Sequence, residues 1–403
     1  MNFLKSNILI LFIANSANLF AYLYQFLMGR YLSVESFGIL TSVNSLGSIT
    51  AALFISLPYI ISKYIIELKH DKELVSTFLR NMYYCTIYVM LIISGLGIVF
   101  IDNIAEYLNL NDHLPIYIYI GHLFSFVLLS VFFGVMQGLL MYINVSIKGA
   151  LLTFLKLLLS IIIVVLLGYS YNGALFASFL ANIIVGFWVY FIVIKHISLK
   201  KINNKTLPKG TYKKIAKYTF PTALTWLVIG LITNIDMVLV KHYMSALDAG
   251  EYSVASVIAK ITVFLPGVLL SVLFPQVSQN NVDGKSSLGT LLTVMGLTVI
   301  LSFGFSFVIY LFPEFIISLL FGEKYIGSSD VLVVITFAMA IISVISVLFN
   351  FLLAKHIYGF LYITSLVIAS FSLIIFEYMH ESPMQIALAI LYACFAIIVS
   401  NVF

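Results

Sequence analysis

The stretch NIDMVLVKHYMSALDAGEYSVASVIAK, residues 234–260, reads as two apolar helices joined by a short turn. Asp236 and Lys260 each lie twelve residues from Asp248 in that turn. With a rise of about 1.5 Å per residue, antiparallel helices place both charged groups at a similar depth, roughly 10 Å inside the outer boundary. Because a charge deep in a bilayer costs about 2.5–3.5 kcal/mol, such groups need partners. Either the two form a mutual ion pair or both line a cavity.

The composition of the whole chain also predicts a membrane protein. Of its 403 residues, 62% are hydrophobic and 9% charged, against about 45–50% and about 25% in soluble domains. Apolar runs of about 20 residues, the length that spans a bilayer, recur along the sequence. They predict an all-α integral membrane protein with about twelve transmembrane helices, at 8–28, 38–62, 82–101, 115–143, 149–168, 173–194, 218–242, 252–275, 288–312, 330–353, 357–377 and 384–402.

Basic residues are distributed unevenly between the predicted loops. With the N-terminus in the cytoplasm, sixteen Lys and Arg side chains lie in cytoplasmic loops, and only Arg30, Lys241 and Lys324 lie outside. Positive charge favours the inner side, so both termini are predicted to be cytoplasmic. An anionic inner leaflet accounts for the net charge of +5 without a nucleic-acid partner.

The longest predicted loop divides the chain into two sets of six spans. We predict an N-terminal six-helix bundle at 1–195, a basic cytoplasmic linker at 196–217 and a C-terminal six-helix bundle at 218–403. No loop is long enough for a catalytic domain, and no Gly-x-x-x-x-Gly-Lys-Ser/Thr phosphate loop occurs. Cys85 and Cys394 show no metal-ligand spacing. We therefore expect neither an enzyme nor a cofactor.

The two halves show an internal repeat. At an offset of 212, YLSVESFGILTSVNSL (31–46) lies over YMSALDAGEYSVASVI (243–258) and pairs Gly38 with Gly250. Both stretches join the first span of a half to its second. An even number of spans per half predicts parallel repeats around a central path, as in many transporters.

Three motifs resemble the Wzx-type polysaccharide flippases of the MOP (MATE-like) transporter superfamily. They are the 234–260 hairpin, GRYLSVESFGILTSV (29–43) and LFPQVSQ (273–279). The resemblance implies two six-helix bundles in a V. It also implies alternating access that carries an undecaprenyl-pyrophosphate-linked oligosaccharide from the inner to the outer leaflet of the bacterial cytoplasmic membrane. The product would be O-antigen, capsule or exopolysaccharide. Membrane lipids, a glycan polymerase and chain-length machinery are the partners that this role implies.

Four ionisable residues are candidates for substrate binding. Lys260 would attract the lipid pyrophosphate, and Asp236 would hold that lysine or exchange a coupling proton or sodium ion. Arg30 lies at the outer end of span one and Lys156 about 10 Å from the cytoplasmic end of span five. Each of these two either snorkels to headgroups or contacts phosphate.

Span one also carries a polar stripe on an apolar helix. Asn15, Asn18, Tyr22 and Gln25 recur at helical spacing on one face. We predict that Asn15, Asn18 and Gln25 bind sugar hydroxyls in a wet cavity. The alternative is that they attach span one to a neighbouring helix.

Three classes of function remain open at this stage. A flippase predicts a net cationic cavity, consistent with Lys156, Lys260 and Arg30. A cation-coupled multidrug exporter of the same superfamily would favour acidic groups, of which Asp236 is the one intramembrane example. A membrane glycan polymerase would need catalytic groups on a substantial outer loop, and the predicted outer loops are short.

Overall fold

A computed structural model of the chain describes residues 3–68, 70–196, 206–208, 210–267, 273, 277, 287–355 and 357–402. All regular structure within these residues is helical. The α-helices are α1 (Phe3–Tyr31), α2 (Val34–Ala52), α3 (Leu57–Leu68), α4 (Lys72–Val99), α5 (Ile101–Tyr107), α6 (Leu114–Gly138), α7 (Tyr142–Ser160), α8 (Tyr171–His196), α9 (Thr211–Tyr243), α10 (Ala246–Phe264), α11 (Leu288–Leu311), α12 (Pro313–Leu320), α13 (Ser329–Ala354), α14 (Gly359–Tyr378) and α15 (Pro383–Val402). A π-helix at Ile161–Leu166 continues α7, and a 3-10 helix at Glu323–Ser328 precedes α13.

The helices confirm the predicted all-α membrane architecture. Within the described part of the chain, ten helices are long and apolar enough to cross a membrane. They coincide with ten of the twelve predicted spans. Helix α1 covers the predicted span 8–28, and α10 covers the first part of 252–275. The remainder of that span, with most of the LFPQVSQ motif, lies outside the described residues, and the orientation of the termini stays a prediction.

The chain forms two compact units. The first contains residues 1–32 and 53–223, and the second contains 33–52 and 224–403. Helix α2 therefore packs within the second unit, although the predicted boundary places it in the N-terminal half. The predicted bundles stay a prediction, and the linker residues 197–205 and 209 lie outside the described part.

The first unit is built around α6, which packs against α3, α4 and α8. Helix α7 joins this group by packing on both α1 and α8. The core is aliphatic and includes Ile61, Val135 and Val185, each no more than 1% exposed. This packing fixes the rotation of α1 and α7 about their axes, and so determines which of their polar residues meet.

The second unit is built around α13, which packs against α10, α11 and α15. Pro266 follows α10 and has no N–H to offer the Thr262 carbonyl four residues earlier. Two neighbouring helices satisfy that carbonyl instead, since the Ser302 hydroxyl donates to it at 3.2 Å and the Ser343 hydroxyl at 3.0 Å. The end of α10 is thereby held to α11 and α13 just beyond Lys260.

Helices α2 and α10 agree with the predicted repeat. Each has 19 residues, and the offset of 212 places the first residue of one on the first residue of the other. They cross where the equivalent glycines meet, because a Cβ on Gly38 would lie 2.9 Å from the Gly250 Cα. A Cβ on Gly250 would overlap the Val34 carbonyl. Small residues allow this backbone-to-backbone contact between membrane helices.

Candidate functional site

The first candidate site lies on the α9–α10 hairpin and is centred on Asp236. We call Asn234, Asp236, Tyr252, Ser256 and Lys260 the hairpin site. Asp236 is 0% exposed. Its Oδ2 accepts hydrogen bonds from the Ser256 hydroxyl at 3.0 Å and the Tyr252 hydroxyl at 3.3 Å. Its Oδ1 is buried and has no hydrogen-bond partner, so this carboxylate keeps one oxygen unsatisfied.

The hydrogen-bond partner of Lys260 is Asn234, not Asp236. Its Nζ donates to Asn234 Oδ1 at 3.0 Å, and Asn234 Nδ2 donates to the Gly230 carbonyl at 3.0 Å. Tyr252, Ser256 and Lys260 follow one another at four-residue intervals, so all three lie on the face of α10 towards α9. The side chain of Lys260 is partly exposed, whereas those of Tyr252 and Ser256 are buried.

The predicted mutual ion pair is not formed in this structure. Among the described residues, no nitrogen–oxygen distance of 4.0 Å or less joins Lys260 to Asp236. The carboxylate instead binds two hydroxyl groups, and the ammonium binds a neutral amide. In the other alternative both residues line a cavity; Lys260 is partly exposed and Asp236 is fully buried, and that alternative stays a prediction.

The second candidate site lies in the first unit, where α1 packs against α7. The Nζ of Lys156 lies 3.9 Å from the centroid of the Tyr24 ring. A cation over an aromatic face is attracted by the ring quadrupole, and the ring has no net charge with which to neutralise it. Tyr24 is 1% exposed and Lys156 is partly exposed. The offset of 212 places Tyr24 at the position of Asp236, so the two sites occupy related places in the two halves.

His122 on α6 lies among the polar residues of the first unit. Asn182 Nδ2 on α8 lies 3.2 Å from His122 Nδ1, and the Tyr119 ring centroid lies 5.4 Å from that of the histidine. His122 is therefore packed against Tyr119 and hydrogen-bonded to Asn182 between α6 and α8.

The remaining predicted site residues lie along α1. Asn15, Asn18 and Arg30 are exposed, and Gln25 is partly buried. The Gln25 Oε1 and the Tyr22 hydroxyl are buried atoms with no hydrogen-bond partner. The structure therefore brings Lys260 and Asp236 into one site and places Lys156 in a second, against Tyr24 of α1.

Sequence reasoning missed the roles of Tyr252, Ser256, Asn234 and Tyr24. The spacing of Tyr252, Ser256 and Lys260 was a usable signal, since it marks one helical face. Asn234 lies two residues before Asp236 and was visible only as a polar residue in span seven. No local pattern linked Tyr24 to Lys156, because 132 residues separate them.

Metal-binding groups are sparse in the described residues. No cluster of three or more His, Cys, Asp or Glu side chains is arranged there to hold a metal ion. Coupling to a proton or a sodium ion stays a prediction.

The fold defines a class of multi-pass membrane protein, and solved structures of MOP-superfamily transporters share that fold. A multidrug resistance MATE-family transporter of that superfamily, inward-facing, superposes with a TM-score of 0.70 at 16% identity, covering 98% of this chain and 96% of its own. The lipid II flippase MurJ, inward closed, gives 0.73 at 15% identity, covering 98% and 87%. A MOP transporter from Pyrococcus furiosus, described as having a binding pocket of reverse polarity, gives 0.62 at 15% identity, covering 98% and 92%.

The sequence itself identifies the family. The polysaccharide biosynthesis protein family matches residues 4–281, so the chain belongs to that family. An uncharacterised membrane protein of Methanocaldococcus jannaschii is 25% identical over 295 residues, which are 69% of this chain and 68% of that protein. The predicted membership of a polysaccharide family is thereby confirmed, and the solved MOP-superfamily structures share the fold.

Proposed function

We propose that this protein flips a polyprenyl-diphosphate-linked oligosaccharide from the inner to the outer leaflet of the cytoplasmic membrane. The observation that carries the proposal is Lys260, a partly buried lysine inside the hairpin whose ammonium group donates to a neutral amide rather than to a carboxylate. Membership of the polysaccharide biosynthesis family supports a saccharide as part of the substrate. The positive charge of Lys260 supports a diphosphate group as the part that binds here. Charge-assisted bonds to phosphate oxygens are among the stronger polar contacts in proteins.

The first unit supplies a second cation for the same class of ligand. Lys156 lies over a ring rather than beside a carboxylate, so its charge stays available to an anion. Arg30, exposed at the end of α1, would meet the diphosphate near the outer surface. The exposed amides of Asn15 and Asn18 and the partly buried amide of Gln25 would bind sugar hydroxyls. Binding and release need no covalent step, so we assign no catalytic residue.

Asp236 fits the role of a coupling group better than that of a substrate contact. Its carboxylate is fully buried and retains an unsatisfied oxygen. A buried carboxylate is stabilised when it gains a proton or a cation. We propose that the driving ion, a proton or sodium, is exchanged there. The same burial weighs against a drug exporter, because a cationic drug would need direct access to this acid.

The test is translocation in vesicles. Purified protein is reconstituted into liposomes that carry a fluorescent polyprenyl-diphosphate oligosaccharide, and an added glycosidase reports the fraction on the outer face. We expect wild-type protein to expose the inner pool and Lys260→Ala to slow exposure at least tenfold. Lys355→Ala, in the loop after α13, is the matched control and should keep the wild-type rate. A wild-type rate equal to that of protein-free liposomes would refute the proposal.

A further inference from the structure

Asn234 uses both ends of its side-chain amide. Its Nδ2 donates to the Gly230 carbonyl one turn earlier, and its Oδ1 accepts from the Lys260 ammonium. An exchanged orientation of the amide would point a donor at an ammonium and an acceptor at a carbonyl. The bond to Gly230 therefore orients Asn234 so that its oxygen faces Lys260.

Two opposite charges, on Asp236 and Lys260, lie near the amide of Asn234. Asp236 is held by two hydroxyl donors, and its Oδ1 remains without a partner. Lys260 lies on the same hairpin, one helical turn beyond the Ser256 that donates to Asp236. An unsatisfied carboxylate oxygen attracts a nearby ammonium strongly in a poorly hydrated site. The structure nevertheless holds the two apart, and Asn234 is the group that occupies the ammonium.

We propose that Asn234 is a positioning residue that keeps Lys260 from pairing with Asp236 and so preserves a positive charge for an anionic ligand. A neutral amide accepts a hydrogen bond without cancelling the charge of the lysine. A carboxylate would accept the same bond and cancel it. The ligand class is a diphosphate, and this inference rests on the proposed function because it deepens the role assigned to Lys260.

The test is a rescue experiment with purified protein in detergent. Calorimetry measures the binding of farnesyl diphosphate, and inorganic pyrophosphate is titrated separately to distinguish headgroup binding from chain binding. In Asn234→Ala the lysine is free to turn to Asp236, and we expect affinity for both probes to fall about tenfold or more, the size of one charge-assisted bond. The double variant Asn234→Ala/Asp236→Asn removes the competing charge and should recover most of the wild-type affinity.

A second variant guards against a fault in packing. Asn234→Asp has nearly the same size as the native residue but places a carboxylate on the ammonium. It should lose affinity as Asn234→Ala does, while Asp236→Asn alone should bind at least as well as wild type. A purely structural role for Asn234 predicts no recovery when Asp236 is neutralised.

The outcomes separate this inference from the proposed function. If Lys260→Ala binds both probes as well as wild type, Lys260 is not the anion site and the inference fails together with that role. If Lys260→Ala loses affinity but Asn234→Ala and Asn234→Asp do not, the proposed function stands and the role of Asn234 is overturned. Loss in Asn234→Ala without recovery in the double variant also overturns it.

Discussion

The two halves of the protein treat one equivalent position in opposite ways. At the offset of 212, Tyr24 in the first unit corresponds to Asp236 in the second. Tyr24 offers a ring face to the ammonium of Lys156 at 3.9 Å. Asp236 offers a carboxylate to two hydroxyl groups, and its neighbouring lysine binds Asn234 instead. Both arrangements bury the central residue and leave a lysine partly exposed.

The difference separates two tasks that a coupled transporter has to perform. A cation that lies over a ring or beside a neutral amide can still bind an anion, as we propose for Lys156 in the first unit and Lys260 in the second. A buried carboxylate with a free oxygen can take up a proton or a metal cation, and Asp236 is the residue of these two sites that has one. Under the proposed function, we therefore expect substrate binding in both units and coupling in the second.

The largest effect is expected where the repeat-related helices α2 and α10 touch. Gly250→Ala places a methyl group against the Val34 carbonyl, and overpacking of this kind costs about 1–3 kcal/mol, occasionally more. We expect the free energy of unfolding in mixed micelles to fall by about 3 kcal/mol. Gly95→Ala, which meets open space, should cost less than 0.5 kcal/mol or stabilise α4. Equal stability of the two variants would show that the α2–α10 contact is not a close one.

The second-largest effect on stability is expected at the hydroxyl groups that donate hydrogen bonds to Asp236. Ser256→Ala leaves the buried carboxylate with one hydroxyl donor, and hydrogen bonds to charged groups are worth about 1.5–3 kcal/mol. The matched control is Ser253→Ala, because its hydroxyl bonds only the Gly250 carbonyl one turn earlier. We expect Ser256→Ala to cost the larger amount in equilibrium unfolding. In an Asp236→Asn background the cost should shrink, and an unchanged cost in that double-mutant cycle would contradict a charged Asp236.

A smaller effect is expected at the equivalent position in the first unit. Tyr24→Leu removes the ring under Lys156, an interaction worth about 0.5–2 kcal/mol. Tyr24→Phe keeps the ring and removes only the buried hydroxyl, so it should cost less than Tyr24→Leu. The difference between the free energies of unfolding of these two variants measures the contribution of the Tyr24 ring. A loss in Tyr24→Phe as large as in Tyr24→Leu would place the interaction at the hydroxyl group and remove the basis of the comparison.

The smallest effect is expected at the neutral polar contact of the first unit. Asn182→Leu removes the bond to His122, and interhelical hydrogen bonds in membranes average about 0.6 kcal/mol. We expect a loss of that order in unfolding, and no change in pyrophosphate affinity. A large loss of affinity instead would make His122 and Asn182 part of the anion site.

Much of the fold followed from residue counting. Runs of about 20 apolar residues located ten spans that the structure confirms, and the offset of 212 anticipated two helices of equal length. The shared depth of Asp236 and Lys260 followed from the rise of a helix. Counting fixes depth but not rotation about the helix axis, and rotation decides which neighbour a side chain meets. For that reason the sequence left a mutual ion pair and a shared cavity as alternatives, and could not identify Asn234, Ser256 and Tyr252 as the partners.

The first-unit site shows the same limit more strongly. Tyr24 and Lys156 meet because α1 packs against α7, and that contact depends on the tertiary arrangement of the bundle. No local sequence motif around either residue predicts contact with the other. Side chains whose partners are remote in sequence are therefore the part of the site that required the structure.

The most direct test of the central claim is made in cells depleted of this protein. Lipid-linked oligosaccharide is labelled, and an external glycosidase that cannot cross the membrane measures how much of it lies on the outer face. We predict accumulation on the cytoplasmic face, with recovery by wild-type protein but not by Lys260→Ala, and unchanged sensitivity to cationic drugs. Normal outer display in the depleted cells, together with raised drug sensitivity, would contradict the flippase and favour an exporter.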